Sequence, residues 1–292
     1  MNCIYRLVWG QELNAWDDVA KTARGRGNGS SCKLIAAALL LNAAFAEAAP
    51  AGGQVVSGAC GIALWIATTT INQASQNLSL NWKSFNVAPT ETVNFVQPSA
   101  SSIAVNRIFD TNGTQILGRL NANGQAYLIN PNGIIFGQGA QVKVGALVAS
   151  TLNFNDASLN SNSRTFSGSG AGSIVNWGTI KATGTGGYIA LLGKIVSNQG
   201  TITAPQDSVE MGAGSSINLT LQNNSLVKMQ VDLSMLNSLA ENGGLIRADV
   251  DERAGAKDPL LASVINNAGT AYRLGINAQA RTDSALRQGA GG

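Results

Sequence analysis

The chain has 292 residues, a formal net charge of +3 and 12% charged residues, so it presents neither a basic field for nucleic acid nor an acidic tail. It holds 34 glycines, 5% aromatics and no histidine, which excludes Ser-His and Cys-His catalysis within the chain. Usage dominated by Gly, Asn, Ser, Thr and small aliphatics suits short strands and tight turns better than packed amphipathic helices.

In chain order, the first element is a leader. Residues 34–46 form an apolar run after Lys33, followed by the small-x-small pattern Ala46-Glu47-Ala48. A positive flank, a short apolar stretch and such an ending define a cleavable secretory signal, and the run is too short to span a membrane comfortably. Residues 1–48 are therefore read as a signal cut after Ala48, with Ala46 as the second choice. Of Cys3, Cys32 and Cys60, the mature chain keeps only Cys60. That leaves no internal disulfide and no cysteine zinc site, and Cys60 reads as a small apolar residue.

Beyond residue 49 short β segments alternate with turns at Asn112-Gly113, Asn123-Gly124 and Asn132-Gly133, dipeptides that tolerate positive φ. A repeat follows. Asn176-Trp177-Gly178-Thr179-Ile180 matches Asn198-Gln199-Gly200-Thr201-Ile202 at a spacing of 22, then Asn242-Gly243-Gly244-Leu245-Ile246 at twice that, and Asn267-Ala268-Gly269 more weakly. Strand chemistry at this period indicates a β-solenoid, one rung per repeat. A skipped copy is expected near Gln222–Leu226, where the Asn-x-Gly is missing. Ile180, Ile202 and Ile246 share an inward phase, while Asn176, Asn198, Asn242 and Asn267 share the phase two before the glycine. These asparagines either stack as an amide ladder or each serve their own turn. Asp232–Glu241, with apolar residues at 233, 235, 236 and 239, is spaced more like a helix and reads as a short helix or a loop between rungs.

Two resemblances follow from particular residues. Met1-Asn2, Ile4-Tyr5-Arg6-Leu7-Val8-Trp9, Leu13-Asn14-Ala15-Trp16 and Ala23-Arg24-Gly25 resemble the extended signal-peptide region of very large Gram-negative secreted proteins. Asn81–Val87, Asn106-Arg107-Ile108, Ile116–Gly137 and Val148–Leu152, with Asn130-Pro131-Asn132-Gly133-Ile134 as the signature, resemble the two-partner-secretion (haemagglutination activity) domain of filamentous-haemagglutinin-like and high-molecular-weight adhesins. The stretch Gly58–Ile66 is more apolar than that pattern and matches it poorly.

The resemblance implies an all-β fold: a right-handed parallel β-helix, pectin-lyase-like, with N-terminal cap strands over residues 49–250 and further rungs or an irregular, truncated tail over 251–292. It implies passage through the Sec translocon, then recognition by an outer-membrane TpsB-type β-barrel transporter through its POTRA domains. It also implies secretion via the periplasm to the cell surface or medium, an adhesin role, and a host-cell receptor or glycan as further partner. Asn130, Pro131, Asn132, Gly133 and Ile134 are the candidate secretion motif, read either as a folding turn or as a direct transporter contact. No nucleic acid, cofactor, metal or catalytic residue is expected. Asp249, Asp251 and Glu252 form the only dense acidic group and read as a solvated loop beside Arg247 and Arg253. Gly184-x-Gly186-Gly187 lacks the strand-to-helix setting of a phosphate loop. A small β-helical carbohydrate-active protein, or the N-terminal part of a contact-dependent toxin exoprotein, are the alternatives.

Overall fold

The computed structural model describes residues 5–10, 15–20, 49–184, 186–205, 208–223, 225–233 and 238–248, and as backbone strands 263–267, 270–272, 275–277 and 286–287. The apolar run at 34–46, the cleavage residues Ala46 and Ala48, and the acidic group Asp249, Asp251 and Glu252 lie outside the described residues. Two units divide at Ala46 and Glu47. In the first, Tyr5–Gly10 pairs antiparallel with Ala15–Ala20.

The second unit is a parallel β-helix of three sheets. The first sheet stacks Thr68–Gln73, Thr92–Val96, Arg119–Ala122, Gln141–Val144, Thr179–Ala182, Thr201–Ala204, Leu245–Ala248 and Thr270–Tyr272. The second stacks Asn77–Trp82, Ile103–Ile108, Gln125–Ile129, Ala146–Ser150, Ile189–Gly193, Val209–Ala213 and Gly275–Asn277. The third stacks Thr114–Ile116, Ile134–Phe136, Ser173–Asn176, Ile195–Asn198, Ser238–Asn242, Ser263–Asn267 and Leu286–Arg287. Cap strands Gln54–Ser57 and Cys60–Trp65 close the N-terminal edges of the second and first sheets by antiparallel pairing.

Stacking solves the problem that no rung can bury its own apolar side. Ile180, Ile202 and Ile246 lie in register and fully buried in a core shared with Leu120, Val142, Leu147 and Leu191. The second sheet differs from the others because its strands are apolar on both faces, as the continuous runs Ala126–Ile129 and Ala146–Ala149 require. Its outer face carries Val105, Tyr127, Val148, Ala190 and Leu192, which need a cover. Two excursions supply it. Asn153–Phe154 and Ser163–Ser167 come from one rung, Ser216–Gln222 and Ser225–Leu233 from another. Together they form a four-stranded antiparallel sheet that buries Phe154, Phe166, Ile217, Leu219 and Val231 against that face.

The skipped rung is therefore a misreading. Ser197 and Asn198 pair directly with Glu241 and Asn242, so the doubled spacing is one rung interrupted by the 216–233 hairpin. Leu219, Leu221 and Leu226 belong to this outer layer. The helical reading of 232–241 is also overturned: Asp232 and Leu233 end one strand, Ser238–Asn242 forms the next, and 234–237 fall outside the described residues.

The outer interface holds a polar knot. Tyr127 Oη and Tyr188 Oη are 2.5 Å apart, and Tyr188 donates to Gln125 Oε1 at 3.0 Å. Arg164, 5% exposed, donates to Tyr127 Oη and to the Leu159 carbonyl at 2.9 Å, with its guanidinium carbon 5.7 Å from the Tyr127 ring centroid. Burial pushes the Tyr127 phenol up, partly offset by Arg164 and by its hydrogen bonds with Tyr188 and Arg164. An acid whose folded pKa is raised adds stability that is full below its unfolded pKa, about 10, and is lost as pH climbs through the folded value. Urea unfolding followed from neutral to strongly alkaline pH should show this fall. In Tyr127→Phe the alkaline fall should shrink, while stability at neutral pH drops by roughly 1–3 kcal/mol because Arg164 loses a partner.

Candidate functional site

The motif Asn130–Ile134 forms the corner between the second-sheet strand Gln125–Ile129 and the third-sheet strand Ile134–Phe136. Pro131 presets the first central position of a turn closed by Gly133 N–H to the Asn130 carbonyl at 3.0 Å. The Asn130 side chain is fully buried and works in two directions. Its Oδ1 accepts from Asn132 N–H at 2.9 Å, and its Nδ2 donates to Thr114 Oγ1 at 3.0 Å and to the Asn112 carbonyl at 3.3 Å. Gly133 has φ +110°, and a Cβ there would sit 2.9 Å from the Ser173 carbonyl oxygen, so a side chain is excluded twice over. Ile134 is fully buried in the core.

The corner ties three rungs together. Asn132 Nδ2 reaches the Asp110 carbonyl at 2.7 Å, and Thr114 N–H donates to the Gly133 carbonyl at 2.9 Å, both on the rung before. Asn130 N–H donates to the Ser150 carbonyl at 3.0 Å and Gly172 N–H to the Pro131 carbonyl at 3.1 Å, both on the rung after. Only Pro131 and Asn132 face solvent.

The other signature segments fall on the same column. Asn81 pairs with Arg107, Arg107 with Ile129, and Ile129 with Ser150 in successive strands of the second sheet. Trp82 Nε1 donates to Asn106 Oδ1 at 2.9 Å within the buried edge, and Asn106 Nδ2 donates to the carbonyls of Ala104 and Tyr127. Arg107 clamps the outer layer onto this column. Its two terminal nitrogens take both carboxylate oxygens of Asp156, at 2.7 and 3.1 Å, and also the Phe154 carbonyl at 2.5 Å and Ser79 Oγ at 2.9 Å. Its Nε reaches Asn153 Oδ1 at 3.2 Å. Asp156 lies 49 residues away in sequence, and no local signal marks it as the partner.

The repeated asparagines occupy the corner between the third and first sheets. Asn176 Nδ2 donates to Asn198 Oδ1 at 2.7 Å, and Asn198 Nδ2 to Asn242 Oδ1 at 2.8 Å. Asn176 Oδ1 accepts from Gly178 N–H at 3.0 Å, and Asn198 Oδ1, itself a ladder acceptor, also accepts from Gly200 N–H at 3.3 Å. Ladder and local turn are thus one arrangement. A Cβ on Gly200 would overlap the Gly178 carbonyl oxygen, which is why glycine recurs with asparagine at this step. Asn267 lies in backbone register with Asn242. Cys60 is half-buried, and burial pushes its thiol up, away from reactivity.

These contacts hold shape and show no reactive constellation; among the described residues no group of three or more His, Cys, Asp or Glu side chains gathers. A family model for the TPS secretion domain matches residues 46–291. The chain belongs to the TPS secretion-domain family. A second model, for the extended signal peptide of type V secretion systems, matches residues 1–50. The chain is 32% identical over 220 residues to a heme/hemopexin-binding protein of Haemophilus influenzae, covering 70% of this chain and 23% of that protein. A second H. influenzae protein of that name is 44% identical over 97 residues, covering 33% of this chain and 10% of the relative. The crystal structure of the HMW1 secretion domain from H. influenzae superposes with a TM-score of 0.63 at 27% identity, over 75% of this chain and 57% of that one. A TPS secretion domain behind an extended signal peptide is exported and delivered by a TpsB-type outer-membrane transporter to the cell surface or medium.

Two substitutions probe how this TPS domain is held. Asn198→Asp removes the donor to Asn242 and should lower stability by roughly 1–3 kcal/mol in thermal or urea unfolding. Arg107→Lys keeps the charge but loses the planar fork, and should cost about 2–3 kcal/mol, read in the same way.

Proposed function

We propose that this chain is a non-enzymatic secretion module in which the Asn130–Ile134 corner acts as a folding latch rather than as the transporter's contact surface. The observation that carries this reading is the full burial of the Asn130 side chain, with both of its polar ends engaged inside the protein. The Sec translocon takes the chain to the periplasm, signal peptidase cuts after Ala48, and the transporter's POTRA domains receive a still extended chain. Outside, the corner joins the rung before it to the rung after it. Because rungs contact mainly their neighbours, folding can advance as the chain emerges. Residues 49–250 form the recognised module, and the strands at 263–267, 270–272, 275–277 and 286–287 extend its sheets.

At the surface the module serves an adhesin that engages a host-cell receptor or glycan. The relatives' name favours a second reading, display of a haem- or hemopexin-binding activity, which would reside in longer proteins than the part matched here.

Co-expression with the cognate TpsB-type transporter separates latch from contact surface. Asn130→Ala should lower secreted protein by about tenfold or more and leave the remainder protease-sensitive, as expected when a buried amide and its partners are unpaired. Asn132→Ala, whose exposed side chain makes one bond from the surface, should stay within about twofold of the parent. Loss of secretion in Asn132→Ala, with the purified protein still folded, would show that the transporter reads the corner directly.

A further inference from the structure

The N-terminal cap carries a feature that the secretion role does not use. Cys60–Trp65 and Thr68–Gln73 form a hairpin whose outer strand is the last of the first sheet. Its base is anchored, since Cys60 and Ile62 pack on the core. Its tip is not: Leu64 is 65% exposed, Trp65 78% and Ile66 101%. Ala67 closes the turn at φ +60°, a left-handed conformation that favours glycine, so three large apolar side chains are displayed on a strained reversal. No Asp, Glu, Lys or Arg occurs from Ala48 through Trp82.

A convex apolar knob in an uncharged setting restricts the occupant. An aromatic side chain buries at most about 250 Å², and with two aliphatic neighbours the tip stays below the ~800 Å² per partner that a stable protein interface needs. A second copy of the chain is therefore poorly served. A bilayer interface fits better. The hairpin itself carries no charge to desolvate on insertion, and tryptophan is favoured at the level of the lipid headgroups. Glu91, whose neighbour Thr92 donates to the Ala67 carbonyl at 2.8 Å, lies beside its turn and limits the depth. Depth is limited further, because the outer edge of Cys60–Trp65 has backbone groups that hydrocarbon cannot satisfy. We propose that the Leu64–Ile66 tip inserts shallowly into a phospholipid bilayer and holds the N-terminal end of the β-helix at a membrane surface. This is independent of the latch at Asn130.

The test uses the mature chain from Ala49 with phosphatidylcholine vesicles, plain or brominated on the acyl chains, and tryptophan fluorescence. The difference between the parent and Trp65→Phe isolates Trp65 from Trp82 and Trp177. That difference signal should be quenched by brominated lipid, and Leu64→Ser with Ile66→Ser should weaken the vesicle affinity it reports by about tenfold or more. Circular dichroism should be unchanged in both variants, because the substituted side chains lie outside the core. Quenching identical in the parent and Trp65→Phe would overturn the proposal, as would an unquenched Trp65 on vesicle-bound protein. So would indifference to the serine changes, or self-association without lipid that the serine changes abolish.

Discussion

The structure turns on one sheet that is apolar on both faces. A parallel solenoid ordinarily buries one side of each rung and leaves the other wet. Here Tyr127, Val148, Ala190 and Leu192 point away from the helix core and still require burial. At about 25 cal/mol per Å² such a face is too costly to leave in water, so the chain departs from its rungs twice to cover it. The departures are far apart in sequence, yet Arg164 and Leu219 pair in one antiparallel sheet. Phe154 and Phe166 stack at 5.0 Å over Tyr127, and Arg107 fixes the first excursion through Asp156. A fold that begins as nearest-neighbour stacking thus gains a long-range closure.

The solenoid was legible because its period is written in residue types. Ile180, Ile202 and Ile246 share a phase for core burial, and Asn-x-Gly recurs because only glycine permits the close approach of one corner to the next. The outer layer was not legible. Ser216–Gln222 alternates apolar and polar residues just as a rung strand does, and periodicity cannot say whether its partner is parallel and adjacent or antiparallel and remote. Arg107 and Asp156 carry no mutual signal across their separation, and nothing in the sequence marks Arg164 for burial beside the Tyr127 ring. The motif was visible as a turn. Its sharing of a column with Asn81–Trp82 and Asn106–Arg107 emerges only when the rungs are stacked.

That column recasts what a secretion signature is. Segments separated by twenty-odd residues become neighbours only in the folded state, so the extended chain proposed for the periplasm would present them as separate strips. Residues that must be intact for export can then be those that complete a rung outside the cell. Nothing among the described contacts depends on a disulfide, which suits the proposed passage of an extended chain that folds afterwards.

The Asn130–Ile134 corner is structural core in the folded protein. Native-state hydrogen exchange tests it most directly. The amides of Thr114 and Asn130, which bridge the rungs at the corner, and of Gly133, which closes its turn, should exchange with protection equal to that of Ile180 and Ile202 in the helix core, opening only with global unfolding. Fast exchange at these three amides while the core stays protected would contradict the account and make the corner a mobile surface element.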